Sequence, residues 1–80
     1  MLKQVIEEGL NKQIGAEINS WYLYLSMSAF CERQNLSGFG KWLKIQAEEE
    51  MAHAMKLFNY TNAVGGKIKL QTIEEPKHGV

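Results

Sequence analysis

Two long stretches without helix-breaking residues limit what this chain can fold into. The only proline is Pro76, and residues 16–37 contain neither glycine nor proline. Apolar side chains recur at helical spacing over residues 2–34 and again over residues 38–64. Because only the turn-prone residues 35–37 separate these segments, the sequence predicts an all-α fold, an antiparallel hairpin of two helices joined by a tight turn.

Residues at the segment ends predict where the helices begin and stop. Ser37 is expected to cap the second helix, since serine hydroxyls accept hydrogen bonds from unpaired amides at helix starts. The Gly65-Gly66 pair is expected to end that helix. Over residues 65–80 apolar and polar residues alternate, which predicts an extended arm, with a short β-strand as the alternative.

Composition and charge exclude several classes of protein. The 80 residues suffice for one small domain, and their 45% hydrophobic content is too high for a disordered tail. Nine basic residues balance nine acidic ones, so the basic surface of a nucleic-acid-binding protein is not expected. The apolar runs are too short to cross a membrane, and the glutamates near the start argue against a signal peptide. The single cysteine cannot form an intramolecular disulfide. We therefore expect a cytoplasmic protein without nucleic-acid or membrane partners.

Three polar side chains occupy the apolar stripes of the predicted helices. At about 100° per residue, Glu17 lies near the centre of the stripe on the first helix. Glu50 has the same position on the second helix, and His53 follows one turn later on the same side. No Lys or Arg lies nearby in either stripe, so a buried carboxylate there needs another source of positive charge. A metal cation would supply it.

The hairpin geometry predicts that these three residues lie at one level. In an antiparallel hairpin, two residues at one level are equally far in sequence from the turn, so their midpoint falls at the turn. The midpoint between positions 17 and 50 is 33.5, and that between positions 17 and 53 is 35, both beside the predicted turn. Two carboxylates and an imidazole that converge in this way suit iron, manganese or zinc. Taken singly, each glutamate is better explained by a side chain that reaches solvent, and His53 by a packed core histidine. Their conjunction favours a metal site.

Two further residues are weaker candidates. Tyr24 lies two turns from Glu17, and its hydroxyl could contact a metal-bound carboxylate or simply be satisfied within a core. Glu49 lies at the edge of the stripe on the second helix, where an accessory metal site and a solvated surface position are both open.

The motifs together resemble a known family. Residues 10–28 are similar to the first helix of a ferritin, and the run QAEEEMAHAM at residues 46–55 is similar to the second. Residues 65–76 resemble the long connection that follows in the family. The likeness covers nearly the whole chain and is greatest to the bacterial non-haem ferritins.

This resemblance implies a ferroxidase, which oxidises Fe(II) with oxygen or peroxide at a di-iron centre and stores the Fe(III). By the resemblance, Glu17 is a terminal ligand of the first iron, Glu50 bridges the two irons, and His53 completes the set of the first iron. Tyr24 matches a tyrosine beside the centre, and Glu49 matches an acidic residue of an accessory site. Haem binding is not expected, because no methionine clearly matches the haem ligand.

The resemblance also implies an incomplete unit, because a ferritin subunit has four long helices and this sequence supplies two. A lone hairpin cannot cover both apolar stripes, so Met27, Trp42 and Phe58 are expected to be exposed in a monomer. We expect completion by a missing C-terminal half or by a second copy, in a homo-oligomer that is at least a dimer of hairpins. A catalytically weak metal-binding fragment and a purely structural hairpin dimer are the alternatives.

Overall fold

The computed structural model describes residues 2–76 as a helical hairpin. Helix α1 spans Gln4–Arg33 and helix α2 spans Ser37–Ala63, and the two pack against each other along their length. The predicted all-α hairpin is confirmed, and each helix end lies within two residues of its expected position. The described residues contain no β-strand, and neither helix is long and apolar enough to cross a membrane.

The turn between the helices differs from the expected cap. Asn35 takes a left-handed conformation with φ 59°, which asparagine tolerates better than most residues. Leu36 then occupies the capping position, Ser37 is already helical, and no side chain caps α2. The prediction that Ser37 caps α2 is therefore wrong, because the left-handed residue reverses the chain one position earlier than the polar composition indicated.

Small side chains form much of the contact between the helices. Ala47 and Ala54 are fully buried on α2, seven residues apart and therefore on the same face. Ile14 of α1 and Leu43 of α2 are also buried. Near the turn, the Ser28 hydroxyl donates a 2.6 Å hydrogen bond to the Gly40 carbonyl oxygen. These small residues allow the two backbones to approach closely at the level where the predicted ligands lie.

The chain after α2 returns along α1 as an extended segment. The Asn11 side chain donates to the Lys67 carbonyl oxygen at 2.9 Å and accepts from the Lys69 amide at 2.8 Å. Eight residues further along α1, the Asn19 side chain accepts from the Glu74 amide at 2.8 Å. Two asparagines on one face of α1 therefore satisfy backbone groups that a sheet partner would otherwise take. The last part of the predicted arm, residues 77–80, lies outside the described residues.

The hairpin is thin and leaves large aromatic residues exposed. The Cα extents are 51 × 21 × 12 Å, a layer only one helix thick. Trp42 is 56% exposed, as expected for a lone hairpin, whereas Met27 and Phe58 are half-buried rather than fully exposed. The expected exposure is therefore confirmed for Trp42, whereas Met27 and Phe58 are partly covered within the hairpin.

Candidate metal centre

Three potential metal ligands meet at the middle of the hairpin. Glu17 is the fourteenth residue of α1 and Glu50 is the fourteenth of α2, so the antiparallel helices bring them to the same level. His53 lies three residues after Glu50 and therefore projects from the same side of α2. One ligand atom from each of the three residues lies within 4.8 Å of the others.

The distances within this cluster suit a shared cation. The Nδ1 atom of His53 lies 3.2 Å from Glu17 Oε2 and 3.6 Å from Glu50 Oε1. Ligand atoms at about 2.1 Å from one metal, at right angles to each other, are roughly 3.0 Å apart. Both distances from His53 are thus within roughly 0.6 Å of that value, and no two of the three ligand atoms are more than 4.8 Å apart.

A fourth side chain orients the cluster. The Gln13 amide donates a 2.9 Å hydrogen bond to Glu17 Oε1, while the other oxygen of that carboxylate faces His53. This contact joins residues one turn apart on α1 and helps to orient the Glu17 carboxylate with Oε2 toward His53. Gln13 was not among the predicted site residues, although its spacing of four residues from Glu17 is visible in the sequence.

Burial differs sharply among the three ligands. The side chains of Glu17 and Glu50 are 16% and 24% exposed, whereas that of His53 is 56% exposed. His53 lies in the apolar stripe of α2, as predicted, but it is not buried there. Only the side of the stripe that faces α1 is covered. The two carboxylates are thus shielded, whereas the imidazole beside them is open to solvent.

Tyr24 and Glu49 lie outside this cluster. Glu49 is exposed and is not among the three residues that share ligand distances. Tyr24 is half-buried two turns along α1 from Glu17, about 10 Å away along the helix axis. Neither residue provides a direct ligand in this arrangement.

The arrangement can bind a divalent or trivalent transition metal but does not complete its coordination. Two carboxylates supply negative charge and hard oxygen donors, and the imidazole supplies a nitrogen donor that iron, manganese and zinc all accept. Three donors leave positions open on a metal that takes five or six ligands. Open positions allow substrate or oxidant to reach the ion.

The fold and the site define the class of the protein. A helix that carries a glutamate, packed on a helix that carries Glu-x-x-His, is half of the donor set of a carboxylate-rich four-helix bundle. Residues 7–80 match the family described as Ferritin-like domain. The chain therefore belongs to the ferritin-like domain family, and the resemblance seen in the sequence is confirmed.

Curated relatives and solved structures are ferritins or proteins named as ferritin-like. The chain is 42% identical over 78 residues to a probable bacterial non-heme ferritin-like protein of Haemophilus influenzae, covering 98% of this chain and 47% of that protein. It is also 42% identical over 74 residues to a bacterial non-heme ferritin of Bacteroides fragilis, covering 92% of this chain and 46% of that protein. The open pore ferritin of Archaeoglobus fulgidus is structurally similar, with a TM-score of 0.91 and 45% identity over 94% of this chain and 46% of that chain. The chain thus spans just under half the length of these proteins.

Proposed function

We propose that this chain binds Fe(II) as a substrate at Glu17, Glu50 and His53 and takes part in its oxidation by oxygen or peroxide and its storage as Fe(III). The observation that carries the proposal is the convergence of these three donors at the middle of the hairpin, within 4.8 Å of one another. Membership of the ferritin-like domain family supports iron as the metal. A cytoplasmic location fits this role.

The donor set itself favours oxidation of bound iron. Two carboxylates attract a trivalent ion more strongly than a divalent one, because the Coulomb energy scales with the product of the charges. The part-buried Glu17 and Glu50 experience a lower effective dielectric than exposed carboxylates, which increases this preference. The exposed imidazole of His53 lies where an arriving ion meets the cluster first.

Glu49 and Tyr24 belong to the proposal in secondary roles. The exposed carboxylate of Glu49 is adjacent in sequence to Glu50 and would serve as an accessory site for iron that enters or leaves. Tyr24 is too far along α1 to be a ligand, so its proposed role is a redox or hydrogen-bonding one beside the complete centre.

A second function has a specific observation in its favour. The described residues bring together one group of three donors, which is too few to hold two irons. A chain that binds iron without oxidising it is therefore the alternative. A hairpin dimer with only a structural role is the third reading.

Metal titration tests the proposal directly. Under anaerobic conditions, Fe(II) binding should weaken about 10- to 100-fold or more in Glu50→Gln and His53→Ala, since each change removes a donor or its charge. Glu48→Gln is the matched control, because it removes the same charge from an exposed position on the same helix. Equal Fe(II) affinity in Glu50→Gln and Glu48→Gln would leave only the structural reading.

Oxidation kinetics separate the first two functions. Rapid mixing of the Fe(II)-loaded protein with oxygen or peroxide should give Fe(III) absorbance faster than free Fe(II) in the same buffer. A rate equal to that of the buffer, with tight Fe(II) binding intact, would establish iron binding without ferroxidase activity.

A further inference from the structure

We infer that Gln13 is a positioning residue for the metal centre. Its side-chain amide holds one oxygen of the Glu17 carboxylate, so that Glu17 binds a metal through its other oxygen alone. This role rests on the proposed metal binding at Glu17, Glu50 and His53. It gives a residue outside the donor set control over how one of the donors binds.

The two oxygens of the Glu17 carboxylate have different partners. Oε1 accepts a 2.9 Å hydrogen bond from the Gln13 side-chain amide, whereas Oε2 lies 3.2 Å from Nδ1 of His53. The first contact runs along α1, and the second crosses from α1 to α2. A cation held among the three donors therefore meets Oε2, because Oε1 faces the amide.

The contact between Gln13 and Glu17 is local to α1. Residues four apart on a helix have Cβ atoms about 5–6 Å apart, so this hydrogen bond needs no contribution from α2 or from a metal. Gln13 is itself exposed, but the carboxylate that it reaches is only 16% exposed, which favours the hydrogen bond over contacts with water. Gln13 thus orients the carboxylate before an ion arrives.

The side chain of glutamine suits this role because it is neutral. A Lys or Arg at this position would also donate to the carboxylate, but its positive charge would oppose the binding of a cation. Glutamine orients the Glu17 carboxylate and leaves its negative charge available to the metal. Hydrogen bonds from neighbouring groups commonly hold metal-binding carboxylates in this way.

Glu50 is constrained less firmly than Glu17. Its Oε1 atom lies 3.6 Å from His53 Nδ1, which is longer than a hydrogen bond, so this contact does not fix its orientation. The two carboxylates of the site therefore differ, with Glu17 fixed and Glu50 adaptable. A fixed Glu17 that binds through one oxygen leaves a coordination position that a second oxygen would otherwise fill.

Anaerobic Fe(II) titration of Gln13→Leu tests this role. Leucine removes the amide donor, so Fe(II) affinity should fall about 3- to 10-fold, at the low end for hydrogen-bond partners of metal ligands because Gln13 is exposed. Gln4→Leu is the matched control. Gln4 donates a 3.1 Å hydrogen bond to Glu8 with the same spacing on the same helix, about 13 Å or more from Glu17, so its loss should leave affinity unchanged.

A second comparison shows whether Gln13 acts through Glu17. Glu17→Gln removes the charge of this donor and should itself weaken Fe(II) binding about 10- to 100-fold. In that background, Gln13→Leu should cause no further loss. A residue that merely stabilises α1 would instead cost the same in both backgrounds. Gln13→Ala replaces Gln13→Leu if the leucine variant fails to fold by circular dichroism.

Infrared difference spectra of the Fe(II)-loaded and metal-free protein report the binding mode directly. The antisymmetric and symmetric stretching bands of a carboxylate lie further apart when one oxygen binds a metal than when both do. Bands that disappear in Glu17→Gln belong to Glu17. They should show the one-oxygen pattern in the wild-type chain and move toward the two-oxygen pattern in Gln13→Leu.

The outcomes separate this role from the function on which it rests. If Gln13→Leu binds Fe(II) as tightly as Gln4→Leu, or loses equal affinity with and without Glu17, the role of Gln13 is overturned and metal binding stands. A two-oxygen pattern for Glu17 in the wild-type chain also overturns it. A wild-type chain that binds no Fe(II) overturns both the role of Gln13 and the proposed function.

Discussion

The separation of the two helices at Ala47 should control metal affinity. Ala47 is 0% exposed and lies one turn before Glu50, so a larger side chain there has no free space. Leucine adds three carbon atoms, and overpacking of this kind costs about 1–3 kcal/mol. If relaxation moves the helices apart by about 1.5 Å, the 3.2 Å gap between His53 Nδ1 and Glu17 Oε2 grows to roughly 4.7 Å. Two ligands at about 2.1 Å from one metal can be at most roughly 4.2 Å apart.

Ala47→Leu should therefore lose the contribution of Glu17 to metal binding. We expect anaerobic Fe(II) affinity to fall about 10- to 100-fold. The melting temperature should fall by roughly 5–20 °C, since 1 kcal/mol corresponds to about 4–8 °C in a domain of this size. Calorimetric titration and thermal melting measure the two effects on the same sample.

Ala52→Leu is the matched control for this experiment. Ala52 lies on the same helix and is exposed, so the same substitution should leave both affinity and melting temperature nearly unchanged. If Ala47→Leu melts lower than Ala52→Leu yet binds Fe(II) equally well below its melting temperature, close helix packing does not set the ligand distances. That result would refute the reasoning.

Two further predictions concern the arm and the glycines. Asn11→Ala should raise the hydrogen-exchange rate of the Lys69 amide about 5-fold or more, because it removes two hydrogen bonds to the arm, each worth about 0.5–1.5 kcal/mol. Gln4→Ala removes only an exposed contact on α1 and should leave this rate unchanged. Unchanged exchange would show that Asn11 does not hold the arm. Gly9→Ala should stabilise the hairpin by about 0.5–1 kcal/mol in urea unfolding, because Gly9 is helical and nothing lies within 4 Å of an added Cβ. Gly65→Ala should destabilise it by about 1–2 kcal/mol, because φ is +79° there, and equal effects at the two glycines would contradict both expectations.

The helices and the level of the ligands could be predicted because both depend on local rules. Helical periodicity and the absence of breakers set the two segments, and the turn position then relates every residue on one helix to its counterpart on the other. The cluster of Glu17, Glu50 and His53 follows from that relation. The start of α2 was misjudged by one residue, because a left-handed Asn35 can reverse the chain without a serine cap.

The arm illustrates what periodicity alone does not reveal. The alternation of residues 65–80 indicated an extended segment, but its partner on α1 was not foreseen. The side chains of Asn11 and Asn19 accept hydrogen bonds from its backbone amides, and the Glu7 carboxylate accepts from the Lys67 amide. These three residues are separated by four and eight positions on α1. That spacing places them on one helix face and is visible in the sequence. The sequence does not show, however, that a segment more than 50 residues later packs against this face.

The sequence by itself determined the two helices, their antiparallel pairing and the three donors at one level, because helical geometry is local and a short turn allows only one arrangement. Tertiary structure decided which side of each apolar stripe is covered, because coverage depends on where the neighbouring segment packs. That is why Ala47 and Ala54 are buried between the helices while Trp42, Tyr60 and His53 remain exposed on α2. Helical periodicity alone places these residues in one stripe of α2, and the packing of α1 covers one part of that stripe and leaves the other part exposed.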